Sequence, residues 1–205
     1  MRVNIWNGLR LALALLTLAA IGRQLAIHLA LGFPALNFFS YFTNLSNLFA
    51  AVVLCGVAWR ASSGREPRPA ADLLRAMAVV DMVVVGIVFA LLLRDVDLGA
   101  LRPWINVLLH GVMPCAMLID WLRVPPVRPL GVHAWWLCQA VPAAYLAYVL
   151  LRGAATGWYP YPFLVPAKVG GYGGVALYAV GIALTFALVG WAVLALGNRR
   201  ARTLA

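Results

Sequence analysis

Charge is what this sequence has least of. Only 11% of its 205 residues are Asp, Glu, Lys or Arg, where soluble domains carry about 25%. Acidic residues are scarcer still, six against 16 Lys and Arg. With so few polar groups the chain cannot cover its own outside in water. Glycine periodicity, charged heptads and low hydrophobicity are missing too, which excludes collagen, coiled coil and disorder. Three cysteines, Cys55, Cys115 and Cys138, have neither CxxC spacing nor an even count, so they read as small apolar fillers, not as a disulfide or metal site. No inverted repeat of the transporter kind is evident.

What is present is apolar: 64% hydrophobic residues and a mean hydropathy of +0.91. At about 20 residues per crossing of a roughly 30 Å hydrocarbon core, six runs qualify: Trp6–Leu29, Phe38–Trp59, Ala71–Leu93, Pro103–Leu122, His133–Leu151 and Gly173–Leu196. Their separators carry turn chemistry, as in ASSGREPRPA at 61–70, VPPVRPLG at 124–131 and GWYPYPFLVP at 157–166. Helices satisfy their own backbone in lipid, so the expected fold is all-α: one polytopic membrane domain over residues 1–205, a single bundle of six transmembrane helices. The N-terminus imitates a secretory signal peptide, but its apolar stretch continues past Arg23 to Leu31 and is read as the first span.

The net charge of +10 then becomes a topology signal. Arginines fall between the apolar runs and form no stripe, so nucleic acid is not an expected partner. With six spans both termini share a side. That side takes Arg2, Arg10, Arg60, Arg65, Arg68, Arg75, Arg123, Arg128, Arg199, Arg200 and Arg202, while the other takes Arg23, Arg94, Arg102, Arg152 and Lys168. The positive-inside rule therefore predicts cytoplasmic termini. A bacterial inner membrane is the expected location.

Polar groups inside spans are costly and mark sites. The second span opens with SYFTNLSN at 40–47, where Thr43, Ser46 and Asn47 share a helix face; such groups either glue helices together or serve a site. In the fourth span Asn106 and His110 share a face, with Pro114 one turn on to kink the helix. Counted from the starts of their runs, Thr43 and His110 lie about 8 and 11 Å deep, close enough in level to meet. A threonine hydroxyl needs a base, and an imidazole suits that task. Asp120, beside Trp121 and Arg123, reads as an interfacial anchor with a salt-bridge partner, and Asp81 either pairs with Arg75, Arg10 or a polar helix neighbour or is protonated. The aromatics Trp158, Tyr159, Tyr161 and Phe163 form a headgroup belt, a lid, or both. Arg23, Gln24 and His28 close the first span on the same side.

Three segments together, YFTNLSN at 41–47, LLHGVMPCAMLID at 108–120 and WYPYPFL at 158–164, resemble the androgen-induced and androgen-dependent TFPI-regulating family of six-span membrane proteins and its bacterial relatives. The resemblance implies a threonine hydrolase of esters between fatty acids and hydroxy fatty acids, with Thr43 as nucleophile and His110, ten residues before Asp120, as base. It departs from the animal pattern in placing Pro114 four residues after the histidine instead of five, in lacking a second nearby histidine and in having Val165 after YPFL. Substrate contacts are expected from Asn44, Ser46, Asn47, Asn106, Tyr161 and Phe163, with oxyanion donors among the asparagines or backbone amides. The expected partners are a lipid or fatty-acid ester and the bilayer; no metal or cofactor is expected. Two other classes share the same polar cluster: a haem protein using His28 and His110 as axial ligands, and a transporter or channel lined by Thr43, Asp81 and His110.

Overall fold

The computed structural model describes residues 5–66, 68–96 and 101–204. Among them there is no strand, and six helices are long and apolar enough to cross a bilayer. Arg2, counted above on the terminal face, lies outside the described residues. The first span is α1, Ile5–Ala30. The second expected run is not one helix: a single-turn α2, Ala35–Phe39, stops at Ser40, and α3, Phe42–Ser62, begins after an extended Tyr41. Next, α4, Pro69–Val88, continues into a π-helical turn, Phe89–Leu93. The fourth span joins α5, Pro103–Val107, through a π-helical turn, Leu108–Val112, to α6, Met113–Arg123. The last two are α7, Val132–Thr156, and α8, Tyr172–Leu204.

Local chemistry sets these boundaries. Pro69 and Pro103 occupy first turns, where a missing N–H costs nothing. Gly157, at φ 72°, ends α7 in the left-handed conformation that glycine adopts freely. The kink expected at Pro114 takes the form of the π-helical turn just before it. Proline cannot donate to the carbonyl of residue 110, and the wider turn absorbs that loss. Gly86 of α4 gives the distortion room, since a Cβ there would stand 3.3 Å from Pro114 Cβ.

Small residues such as Ala14, Ala20, Ala50, Ala51, Ala76 and Ala78 are fully shielded in the core, which lets helix backbones approach closely. Outward faces carry exposed Leu15, Val52, Leu177, Leu184, Leu188 and Trp191, a surface suited to acyl tails. Helix α8, with 33 residues, is about 50 Å long and carries Arg199, Arg200 and Arg202 past the apolar core.

At the end of the bundle that holds the termini, Asp120 has the expected salt bridge, but buried between helices and not exposed at an interface. Its carboxylate is buried and accepts from Arg10 Nε at 2.6 Å, Arg75 Nη2 at 3.1 Å and Trp6 Nε1 at 2.8 Å. Arg75 Nη1 also reaches Asp72 at 3.0 Å, and the other Asp72 oxygen accepts from the Val127 amide at 2.8 Å. Arg123 lies instead over the Trp6 ring. Two guanidinium groups and two carboxylates thus neutralise one another across α1, α4 and α6, the arrangement under which charge is tolerable between helices. Both arginines considered for Asp81 are thereby taken. Asp81 is buried in mid-span, and no ion pair or hydrogen bond reaches it among the described residues.

Candidate functional site

The first turn of a helix has amides without intrahelical acceptors, and in α3 phenols supply them. The Phe42 amide donates to Tyr145 Oη at 3.2 Å and the Thr43 amide to Tyr161 Oη at 3.3 Å. Tyr145 spends its own proton on the Ser40 carbonyl at 2.8 Å. Ser40 Oγ donates to the Leu36 carbonyl at 2.7 Å, so Tyr148 donates to Ser40 Oγ at 2.8 Å. Asn44 Nδ2 donates to the Phe38 carbonyl at 2.8 Å and closes the break from the other side. Residues of α7 and the 157–171 loop therefore hold open the gap between α2 and α3, and Thr43 stands in the first turn of α3, not five residues into a continuous helix.

Thr43 is 8% exposed, with its hydroxyl beside the Tyr161 phenol. Burial holds that phenol above its ordinary value of 10.0, outweighing the hydrogen bonds it receives from Thr43. Tyr161 is therefore a neutral donor at ordinary pH. The Tyr161 and Phe163 rings stack, centroids 5.1 Å apart. Beneath them lies a hollow of about 230 Å³ between α3, the end of α4, α7 and α8. Thr43, Tyr145 and Tyr161 meet at one end of it, and Gln139 is the other polar side chain in a wall that is otherwise aliphatic and aromatic, Val84, Val88, Leu146, Phe163, Ile182 and Phe186 among them. Gln139 precedes Tyr145 by six residues on α7, hence about 9 Å deeper. The alanines Ala143, Ala179 and Ala183 leave the space that larger side chains would fill. An apolar body with a few polar groups at one end is the form of a small-molecule binding cleft.

His110 lies on a neighbouring side of the bundle. Its Nδ1 is 3.2 Å from the Asn106 carbonyl; a carbonyl only accepts, so Nδ1 carries the proton and Nε2 keeps its lone pair. The ring stacks on Phe89 at 4.2 Å. Where α4 passes into its π-helical turn, Val88 lines the hollow and Phe89 covers the histidine. Thr43 and His110 share no hydrogen bond, and His110 does not line the hollow. Asn47 is the link between their elements: its Nδ2 donates to the Thr43 carbonyl at 2.9 Å and the Leu109 carbonyl at 3.1 Å.

Of the residues picked out in the sequence, Thr43, Tyr161 and Phe163 gather on the hollow, and Asn47, Asn106 and His110 gather beside it. Asn44 is spent on α2. Ser46 Oγ, Asn47 Oδ1 and Asn106 Oδ1 are buried without a protein hydrogen-bond partner. Tyr161 and Phe163 line the hollow, while Trp158 packs on Tyr41 at 5.8 Å with Arg152 over its ring. His28 is engaged elsewhere, with Nε2 3.0 Å from the Pro34 carbonyl and its ring against Phe33 and Phe38. Among the described residues no three His, Cys, Asp or Glu side chains are grouped to hold a metal ion. Sequence reasoning missed Tyr145, Gln139 and Thr17; the signal for the first two was their spacing with Pro142 along one face of the fifth span.

Residues 37–194 match the model of a family described as FAR-17a/AIG1-like protein. No curated protein and no solved structure matches the chain. The matched segment holds α3 to α7, the whole hollow and both Thr43 and His110, and the chain belongs to that family.

Proposed function

We propose that this member of the FAR-17a/AIG1-like family is an ester hydrolase working inside the membrane on a lipid ester, with an ester of a fatty acid and a hydroxy fatty acid as the substrate class. The supporting observation is the placement of the Thr43 hydroxyl at the polar end of an otherwise apolar, ligand-sized hollow between membrane spans. In this reading the acyl chain occupies the hollow and its carbonyl stands at Thr43. Thr43 Oγ attacks the carbonyl carbon, His110 Nε2 takes the hydroxyl proton and returns it to the leaving alcohol, and water then releases the acid. The neutral Tyr161 O–H is the donor for the developing oxyanion. His110 reaches Thr43 by a side-chain rotation or through one water, the kind of adjustment that substrate binding brings about.

The membrane is proposed to be a bacterial inner membrane with both termini cytoplasmic, which puts the hollow near the outer headgroups; a C-terminal reporter active only in the cytoplasm is the expected result. The test of function is hydrolysis of a panel of fatty-acid esters by purified protein in detergent. Thr43→Ala and His110→Ala are expected to lower the rate by about 10²-fold or more. Unchanged rates in both variants would remove the mechanism.

A further inference from the structure

Most hydroxyls on the helices of this protein satisfy themselves. Ser40, Ser62, Thr156 and Thr185 each donate to the carbonyl four residues back, the usual resort of Ser and Thr in a helix. Thr17 and Ser46 do not. Thr17 is 0% exposed and Ser46 2%, yet Thr17 Oγ1 and Ser46 Oγ have no protein partner, and the same holds for Asn47 Oδ1 and Asn106 Oδ1.

Helix register puts Thr17, Ser46 and Asn47 at nearly one depth, with Asn106 about 7.5 Å nearer the Gln24 tie. Near one end, α1 is tied to the fourth span by Arg10 and Asp120; near the other, Gln24 Oε1 accepts from the Arg102 amide at 3.4 Å. Midway between those ties lie Thr17 on α1 and Gly111 on the fourth span. Asn47 touches the Leu109 carbonyl, which brings α3 to the same level. Arg10, Ala14, Thr17, Ile21 and Gln24 form the buried stripe of α1, and α1 packs chiefly on α3. The unpaired groups of Thr17, Ser46 and Asn47 therefore lie along the seam of α1, α3 and the fourth span, one turn, roughly 5 Å, below Thr43, and Asn106 extends the row one turn from His110 on the fourth span.

We propose that Thr17, Ser46, Asn47 and Asn106 bind internal water and that this water is the second substrate of the hydrolase. Buried polar groups are paired with protein or with water, and a buried water takes about three hydrogen bonds; two hydroxyls and two amide oxygens supply both donors and acceptors for it. The inference rests on the hydrolase reading above. In the releasing step the water oxygen bonds to the acyl carbon of acyl-Thr43 while His110 Nε2 takes a water proton. The carbon–Oγ bond then breaks, and that proton passes to Thr43 Oγ, leaving a free fatty acid and the starting enzyme.

The test compares the full-length protein with Thr17→Val, Ser46→Ala and Thr17→Ser, using a fluorophosphonate to read acylation and a p-nitrophenyl fatty-acid ester to read turnover. Thr17→Val and Ser46→Ala are expected to label at the wild-type rate, to turn over at least tenfold more slowly and to accumulate acyl-Thr43 by mass spectrometry, with Thr17→Ser near wild type. Turnover unchanged in Thr17→Val and Ser46→Ala, or labelling and turnover lost in parallel, overturns the proposal. A high-resolution map is the readout that needs no activity: water density bridging Thr17 Oγ1 and Ser46 Oγ supports the site even if the wild type hydrolyses nothing, an outcome that defeats the hydrolase reading alone. A dry contact there defeats the water site.

Discussion

Tyr161 Oη lies 3.3 Å from the backbone nitrogen of Thr43, 118 residues away in sequence, and beside the Thr43 hydroxyl as well. One phenol of the connecting loop thus completes the first turn of α3 and faces the hollow. Its removal affects both roles, and the split between kcat and folding stability tells them apart.

Tyr161→Phe keeps the ring stacked on Phe163 and deletes the hydroxyl, which is both the donor toward the hollow and the acceptor of the Thr43 amide. If the phenol stabilises the oxyanion, kcat falls about 10²–10³-fold with KM little changed; a KM effect alone would make it a substrate contact. Because burial raises the phenol above its ordinary value, its protonated form persists and the donor is lost only as pH rises past that raised value. Activity dependent on Tyr161 is therefore expected to be flat on the alkaline side up to about pH 10. A difference absorbance titration of wild type against Tyr161→Phe checks this.

Ala183 and Ala179 face the hollow from α8, and enlarging either one shortens the space available below Thr43. Ala183→Phe is expected to abolish hydrolysis of long-chain esters while short-chain esters are still cleaved, read as a shift in chain-length profile. An unchanged profile would place the acyl chain elsewhere.

Asp120 carries a different kind of cost. Asp120→Asn leaves Arg10 and Arg75 buried with Asp72 as the one carboxylate, and breaking a buried ion network by removing one partner costs about 3–5 kcal/mol. A lower unfolding temperature in detergent is the expected outcome. Loss of activity with unchanged stability would move Asp120 from scaffold to chemistry.

The six spans were legible because run length and hydropathy are additive properties of a segment. The break at Ser40 and Tyr41 was not, since its causes lie a hundred residues on: Tyr145 and Tyr161 satisfy the backbone groups it frees, and Tyr148 holds the Ser40 hydroxyl. Pro114 announced a distortion but not its form. Asp120 announced a salt bridge, but not that helix packing would supply Arg10 and Arg75 from two other spans. Thr43, Tyr161 and Phe163 were readable as polar or aromatic groups in unusual places, and they do meet. Thr17 gave no sign, because a lone threonine in a helix ordinarily bonds to its own backbone.

The most direct measurement is the site of covalent capture. Purified protein is treated with a fluorophosphonate, digested and analysed by tandem mass spectrometry, with Thr43→Ala and His110→Ala in parallel. The expected result is one adduct on the Thr43 side chain, absent from Thr43→Ala and much slower to form in His110→Ala. An adduct on another residue, or capture undiminished by Thr43→Ala, would contradict threonine catalysis in this bundle.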